Sequence, residues 1–149
     1  NSIDDCKKYD EIVFCGYGEP TLRLDTIKKV SKKIKEAGGK VRLNTNGHGN
    51  VINKRNILPE LKGLVDSISI SLNADTAEGY DRIVRPLPGI RNGIYDRVKE
   101  FIEESKKYIP ETQATIVTHQ EGVDEDKCEE ISKNEFDIKY RSRRYNIVG

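Results

Sequence analysis

Ser67-Ile68-Ser69-Ile70-Ser71-Leu72-Asn73 has the sharpest pattern in the chain, because polar and apolar residues alternate strictly along it. A period of two is typical of a β-strand whose two faces meet different surroundings. Helical patterns flank this strand, so we expect helices to cover Ile68, Ile70 and Leu72. The serines and Asn73 would then point inward, where buried polar groups need a polar ligand or water as a partner. The alternative is an edge strand with one face in solvent.

Four more apolar-rich strands are predicted, at about residues 11–15, 40–44, 113–118 and 137–141, with helical patterns between them. Alternation of strands and helices at roughly 25–45 residues per unit implies right-handed crossovers and a parallel sheet. A complete eightfold barrel needs roughly 250 residues. The predicted fold class is therefore α/β, an open and partial TIM-type barrel of parallel βα units. A doubly wound open sheet is the competing architecture.

Helix ends are predicted from residues that satisfy free backbone groups. Gly38-Gly39 follows an apolar stripe that begins at Leu24, which is typical of a helix C-terminus. Asp75 is expected to be the N-cap of a later helix, with Glu78 as the matching acidic residue of a capping box. Asp124 is expected to cap the last helix.

The composition excludes several classes of protein. The chain has 149 residues and is predicted to form one domain over residues 1–149, with 26 basic and 25 acidic residues and a net charge of +1. This balance gives no signal for nucleic acid or an anionic membrane surface. Cys6, Cys15 and Cys128 are odd in number and far apart, which favours a reducing compartment such as the cytoplasm over a disulfide framework. Cys15 is expected to be a core residue.

Two strand ends carry residues suited to a ligand. Gly18-Glu19-Pro20 follows the strand at 11–15, and Asn44-Thr45-Asn46-Gly47 ends the next strand. A glycine lets the backbone approach a ligand, a glutamate supplies an anion, and a proline stiffens the turn. Each stretch alone is also a common turn. Because both end consecutive strands, where α/β enzymes bind ligands, they predict a shared site.

Together these residues resemble the radical SAM superfamily, in which S-adenosylmethionine (SAM) lies across the carboxyl ends of an incomplete barrel. Gly18-Glu19-Pro20 is similar to the family's Gly-Gly-Glu-Pro motif, which binds the SAM amino group, with Tyr17 in place of the first glycine. Thr45-Asn46-Gly47 is similar to the next strand end, and residues 69–73 are similar to the strand that contacts ribose and methionine. The longer phrases at residues 14–24, 71–74 and 80–86 resemble a subgroup associated with TatD-type metal-dependent DNases.

The resemblance implies SAM and a [4Fe–4S] cluster as cofactors. The family's Cys-x-x-x-Cys-x-x-Cys loop does not occur in these 149 residues, so we expect it in a first βα unit that precedes Asn1. The sequence begins at Asn1 and contains no methionine, which is expected either of a chain given without its N-terminus or of one whose methionines were replaced by a modified residue. The implied function is that of a radical SAM enzyme, which would need an electron donor and act on an unknown small molecule or protein. The alternative is a catalytically inactive SAM- or nucleotide-binding module without a cluster. A phosphate-binding barrel is disfavoured because no Gly-rich loop or Walker motif occurs.

The candidate site consists of residues at the strand ends and on the polar strand, together with one arginine that could reach the SAM carboxylate. The residues assigned to cofactor binding are Gly18, Glu19, Pro20, Asn44, Thr45, Asn46, Ser69, Ser71, Asn73 and Arg82. No catalytic residue and no metal ligand is assigned.

Three basic residues alternate on the last predicted strand: Lys139, Arg141 and Arg143. They could face an anionic substrate. The alternative is that they blunt an exposed edge strand against pairing with another chain, which is a common use of basic residues. His48 and His119 are isolated histidines and predict no metal site.

Overall fold

The computed structural model describes residues 11–15, 19–83, 93–117 and 123–143, in which five strands form one sheet. All neighbouring strands are parallel, and they follow one another in the order of the chain. The strands are β1 (Ile12–Phe14), β2 (Val41–Thr45), β3 (Ser67–Ser71), β4 (Glu111–Val117) and β5 (Lys139–Arg143). All five predicted strands are present, with ends that differ by at most two residues.

The strand order decides between the two architectures. A doubly wound sheet reverses its strand order at a switch point, whereas a barrel places each strand beside its predecessor. The order β1-β2-β3-β4-β5 contains no reversal, so the prediction of an open, partial barrel is confirmed. Because β3 lies in the middle of the sheet, the alternative of a solvent-facing edge strand at residues 67–71 is wrong.

Helices connect the strands. The α-helices are α1 (Leu24–Glu36), α2 (Gly49–Asn53), α3 (Leu58–Leu61), α4 (Ala77–Ile83), α5 (Ile94–Tyr108) and α6 (Glu125–Glu130). A 3₁₀ turn (Pro20–Arg23) leads into α1, and a π-helical turn (Ile131–Glu135) follows α6. Within the described residues, no helix is long and apolar enough to cross a membrane.

Two of the three predicted helix ends are confirmed. Gly38 has a φ of 87°, and the N–H groups of Gly38 and Gly39 donate to Lys35 and Ile34, which is a Schellman motif. Asp124 accepts a hydrogen bond from the Lys127 N–H, as an N-cap should.

The prediction that Asp75 caps α4 is wrong by one residue. The Thr76 hydroxyl accepts a hydrogen bond of 3.0 Å from the Gly79 N–H, and the helix begins at Ala77. Asp75 instead accepts a hydrogen bond of 3.1 Å from the Asp124 N–H. Both Asp and Thr are good N-caps, so a capping pattern fixes the start of a helix only to within a residue when the two are adjacent.

The core lies between the sheet and the helices, on the convex side of the sheet. Ile68, Ile70 and Leu72 are fully buried and belong to the same cluster as Ile27 of α1 and Val98 of α5. Burial of one such side chain contributes about 1.5–3 kcal/mol. The apolar half of the β3 alternation therefore fixes which face the helices cover, and it leaves the other face to form a cavity.

Candidate functional site

A cavity of about 660 Å³ opens on the concave face of the sheet. Its volume is in the usual range for small-molecule and cofactor sites. Seven of the ten predicted site residues line it together: Glu19, Pro20, Asn44, Thr45, Asn46, Ser69 and Ser71. The expectation that Ser69 and Ser71 point to the concave side is confirmed.

The carboxylate of Glu19 is held at the ends of β1 and β2 by the protein itself. Its Oε2 accepts hydrogen bonds from the Thr21 N–H (3.1 Å), from the Thr21 hydroxyl and from the Thr45 hydroxyl (2.6 Å). Its Oε1 accepts one hydrogen bond of 2.8 Å from the Asn46 N–H. We call Glu19, Thr21, Thr45 and Asn46 the Glu19 corner. Hydrogen bonds therefore connect Glu19 of the Gly-Glu-Pro motif to Thr45 and Asn46 at the end of β2.

A buried histidine is hydrogen-bonded to this corner. The backbone N–H of His48 donates to Asn46 Oδ1 at 2.9 Å, and the ring Nε2 of His48 shares a hydrogen bond of 2.6 Å with the Tyr80 hydroxyl. Only 4% of His48 and none of Tyr80 is exposed. Burial lowers the pKa of His48 from 6.5 to about 4, and burial, followed by the charges of Asp81 and Glu19, raises the pKa of Tyr80 above its usual range. The pair is therefore neutral at physiological pH.

The bottom of the cavity is a closed network of polar side chains. Arg42 donates to Glu11 Oε1 at 2.9 Å and to Ser69 Oγ at 3.1 Å. Gln113 donates to the same Ser69 oxygen at 2.6 Å, and Ser67 donates to Glu11 Oε2 at 3.2 Å. We call these five residues the floor. The Ser69 hydroxyl, which the sequence suggested would need a ligand, already has two protein partners.

A row of polar side chains above the floor lacks such partners. Ser71 is paired with Thr115 in the sheet register, Thr115 is paired with Arg141, and all three line the cavity. We call them the open row. Within the described part of the chain, none of their side chains makes a hydrogen bond or an ion pair. One level lower, Asn44 Oδ1 is buried and also has no partner among the described residues.

Two predicted site residues do not line the cavity, and a third falls outside the part of the chain that the structure describes. Asn73 follows β3 with a left-handed φ of 63°, so it no longer obeys the alternation of the strand. Arg82 is exposed on α4. Gly18 lies outside the described residues.

Some residues that line the cavity were missed. Cys15 is exposed and lines it, so its prediction as a core residue is wrong. Arg42 alternates with the predicted Asn44 on β2, and Gln113 alternates with Thr115 on β4. Reading those strands with the period of two that was applied to β3 would have found Arg42, Gln113 and Thr115.

The comparison with family models decides the relationship. The model of the radical SAM superfamily matches residues 2–133. This chain belongs to the radical SAM superfamily. An uncharacterized protein of Methanocaldococcus jannaschii is 35% identical over 101 residues, which are 67% of this radical SAM chain and 32% of the relative. The chain thus spans about a third of the length of this relative.

Radical SAM proteins generally use SAM and a [4Fe–4S] cluster, and the described residues fit only the first. Asn44 Oδ1, the hydroxyls of the open row and a fixed carboxylate are the kind of groups that amino, hydroxyl and carboxylate groups of SAM would pair with. Three cluster thiolates are not found among the described residues. Cys15 stands alone, and burial raises the pKa of the Cys128 thiol to about 12, which keeps that thiol protonated.

Proposed function

We propose that this chain is the SAM-binding part of a radical SAM enzyme, with SAM at the carboxyl ends of β1, β2 and β3. The observation that carries the proposal is the Glu19 carboxylate, which lines the cavity and is held in place by hydrogen bonds from Thr21, Thr45 and Asn46. A hydrogen bond to a charged group contributes about 1.5–3 kcal/mol. A ligand with an ammonium group would gain such a contact here.

Glu19 is the residue that would hold the SAM ammonium. Its Oε2 receives three donors, whereas Oε1 receives only the Asn46 N–H, so Oε1 keeps an acceptor position for one more donor. The carboxylate is fixed before the ligand arrives, and a group that needs no rearrangement loses less free energy on binding. Thr21, Thr45 and Asn46 would act as positioning residues for this contact.

Asn44 and Ser71 would bind the remaining polar groups of SAM, since both line the cavity next to the Glu19 corner and neither has a side-chain partner within the described residues. SAM, bound beside a reduced [4Fe–4S] cluster, supplies a 5′-deoxyadenosyl radical that abstracts hydrogen from a substrate. We propose that the cluster ligands lie outside the described residues and that an external donor supplies the electron. The phrases at residues 14–24, 71–74 and 80–86 further support the subgroup associated with TatD-type DNases.

A second candidate is a SAM-binding module without redox chemistry, since the described residues supply no set of three cluster thiolates. The full-length protein, purified and reconstituted with iron and sulfide without oxygen, separates the two. For the enzyme we expect iron uptake, the visible absorbance of a cluster, saturable SAM binding by calorimetry, and 5′-deoxyadenosine after reduction. SAM binding without iron uptake would support the module. Absence of SAM binding would overturn both.

A further inference from the structure

The open row is arranged as a binding site for an anion. Ser71, Thr115 and Arg141 lie side by side on β3, β4 and β5, and their register pairs place them at one level of the concave face. Thr115 is only 6% exposed, and its side chain makes no hydrogen bond to a described residue. The Arg141 side chain is exposed. The Thr115 hydroxyl and the Arg141 guanidinium offer donors on neighbouring strands, and guanidinium groups bind carboxylate and phosphate with two parallel hydrogen bonds.

The charge of Arg141 is not compensated in the described structure, unlike the other charges of the cavity wall. Arg42 is paired with Glu11 at 2.9 Å, and Glu19 receives four donors in its corner. Lys139 lies on the same strand but does not line this cavity. Protection of the β5 edge against pairing with another chain would explain Lys139 and Arg141 equally well. Of these two residues, only Arg141 lines the cavity.

We propose that Arg141, together with Thr115, binds an anionic group of the substrate, either a carboxylate or a phosphate. This inference rests on the proposed function, since it assumes that SAM occupies the side of the cavity near Glu19. Glu19 is tied to the end of β2, and Arg141 lies on β5, three strand spacings or about 14 Å away along the sheet. The amino and carboxylate groups of SAM share one carbon atom, so an ammonium at Glu19 leaves its carboxylate on that same side.

The arrangement assigns one role to each side of the cavity. SAM would be held at β1, β2 and β3, where Ser71 lies, and the substrate would be held through its anionic group at β4 and β5. The carbon that loses a hydrogen atom would then lie toward the middle of the concave face. The substrate class is a molecule or modified side chain with at least one carboxylate or phosphate.

The test titrates inorganic phosphate and acetate, separately, into the purified full-length protein without SAM and follows each probe by NMR line broadening. We compare the wild type with Arg141→Gln and with Lys139→Gln, which removes a neighbouring charge of the same strand outside the cavity. We expect saturable binding of at least one probe, weakened about fivefold or more by Arg141→Gln and changed less than about twofold by Lys139→Gln. Arg141→Lys should retain part of the binding, and melting curves verify that each variant is folded.

SAM affinity, measured by calorimetry on the reconstituted protein, is the second readout. We expect the SAM affinity of Arg141→Gln to stay within about twofold of the wild type. An equal loss of SAM and probe binding would assign the arginine to the SAM carboxylate and overturn the proposal. Absence of saturable probe binding to the wild type, or equal probe binding by all variants, would overturn it too. The anion titration needs neither SAM nor cluster, so it remains readable if the proposed function fails.

Discussion

The Glu19 corner and the open row lie on the same concave face, but their polar groups differ in whether they have hydrogen-bond partners in the protein. In the corner, every donor around Glu19 has found an acceptor within the protein. In the open row, Ser71, Thr115 and Arg141 have found none among the described residues. A satisfied buried group helps to specify the fold, whereas Arg141 is exposed and Ser71 is half-buried, so their polar groups are open to solvent or to a ligand. The difference suggests that the corner is set by folding and the row is reserved for binding.

The three serines of β3 show the same contrast within five residues. Ser67 and Ser69 belong to the floor, because Ser67 donates to Glu11 and Ser69 accepts from Arg42 and Gln113. Ser71 lies one level higher, in the open row. Their positions in the alternation are equivalent, so the neighbours on β2 and β4 decide which serine is used for structure.

The largest expected effect comes from Gly47, at the turn that carries the corner. Gly47 has a φ of 83°, and an added Cβ would lie 3.1 Å from a Val98 methyl and 3.2 Å from an Ile70 methyl. We expect Gly47→Ala to lower the free energy of unfolding by about 2–5 kcal/mol, from the left-handed backbone and from overpacking. Urea denaturation measures it.

The control for this change is Gly93→Ala. Gly93 also has a positive φ, of 69°, but nothing lies within 4 Å of an added Cβ. It should lose only the backbone contribution, about 1–2 kcal/mol. Equal losses for the two variants would show that tight packing does not constrain the corner.

The next effect is a pH dependence from His48, whose pKa falls from 6.5 in the unfolded chain to about 4 in the folded protein. Above pH 6.5 both states are neutral and the contribution to stability is complete. As the pH falls toward 4, the unfolded chain gains a proton that the folded protein excludes, so the free energy of unfolding should fall by about 3 kcal/mol. Urea denaturation at pH 7 and near pH 4 measures this loss. His48→Gln cannot titrate, and equal pH dependence in this variant would contradict the assignment.

A smaller change in stability, joined to a change in binding, is expected from Glu19→Gln. The amide has one acceptor oxygen where the carboxylate serves four donors. We expect a loss of about 2 kcal/mol in the free energy of unfolding and about tenfold or more in SAM affinity. Melting curves and calorimetric titration of the reconstituted protein measure the two. Glu103→Gln, on the exposed side of α5, should change neither.

The outcomes of this experiment separate the roles of Glu19. A loss of stability with unchanged SAM affinity would make Glu19 a purely structural residue and weaken the motif assignment. A loss of SAM affinity alone would mean that the hydrogen bonds of the corner contribute little to folding.

The sequence predicted the strands and helix ends well because these features depend on residues that are close together in the chain. The alternation at residues 67–73 determines which face of β3 is buried, and the Schellman motif at Gly38-Gly39 needs only the helix it ends. The partners of polar side chains are not local. Glu19 meets Thr45 and Asn46 across 26 and 27 positions of the chain, and no pattern within either segment encodes that contact. For the same reason the sequence did not distinguish Arg141 from Lys139.

The smallest effect on stability, and the sharpest test of the comparison, is expected from Asn44→Ala. Asn44 Oδ1 is buried without a partner, so its removal should leave the free energy of unfolding unchanged or raise it by up to about 1 kcal/mol. SAM affinity should fall about fivefold, since the ligand loses a hydrogen bond. Thr112→Val is the matched control: Thr112 Oγ1 is also buried without a described partner, but it does not line the cavity. This variant should gain stability without any change in SAM binding. If Asn44→Ala instead lost stability and kept its SAM affinity, Asn44 would belong with the satisfied residues of the fold and not with the SAM site.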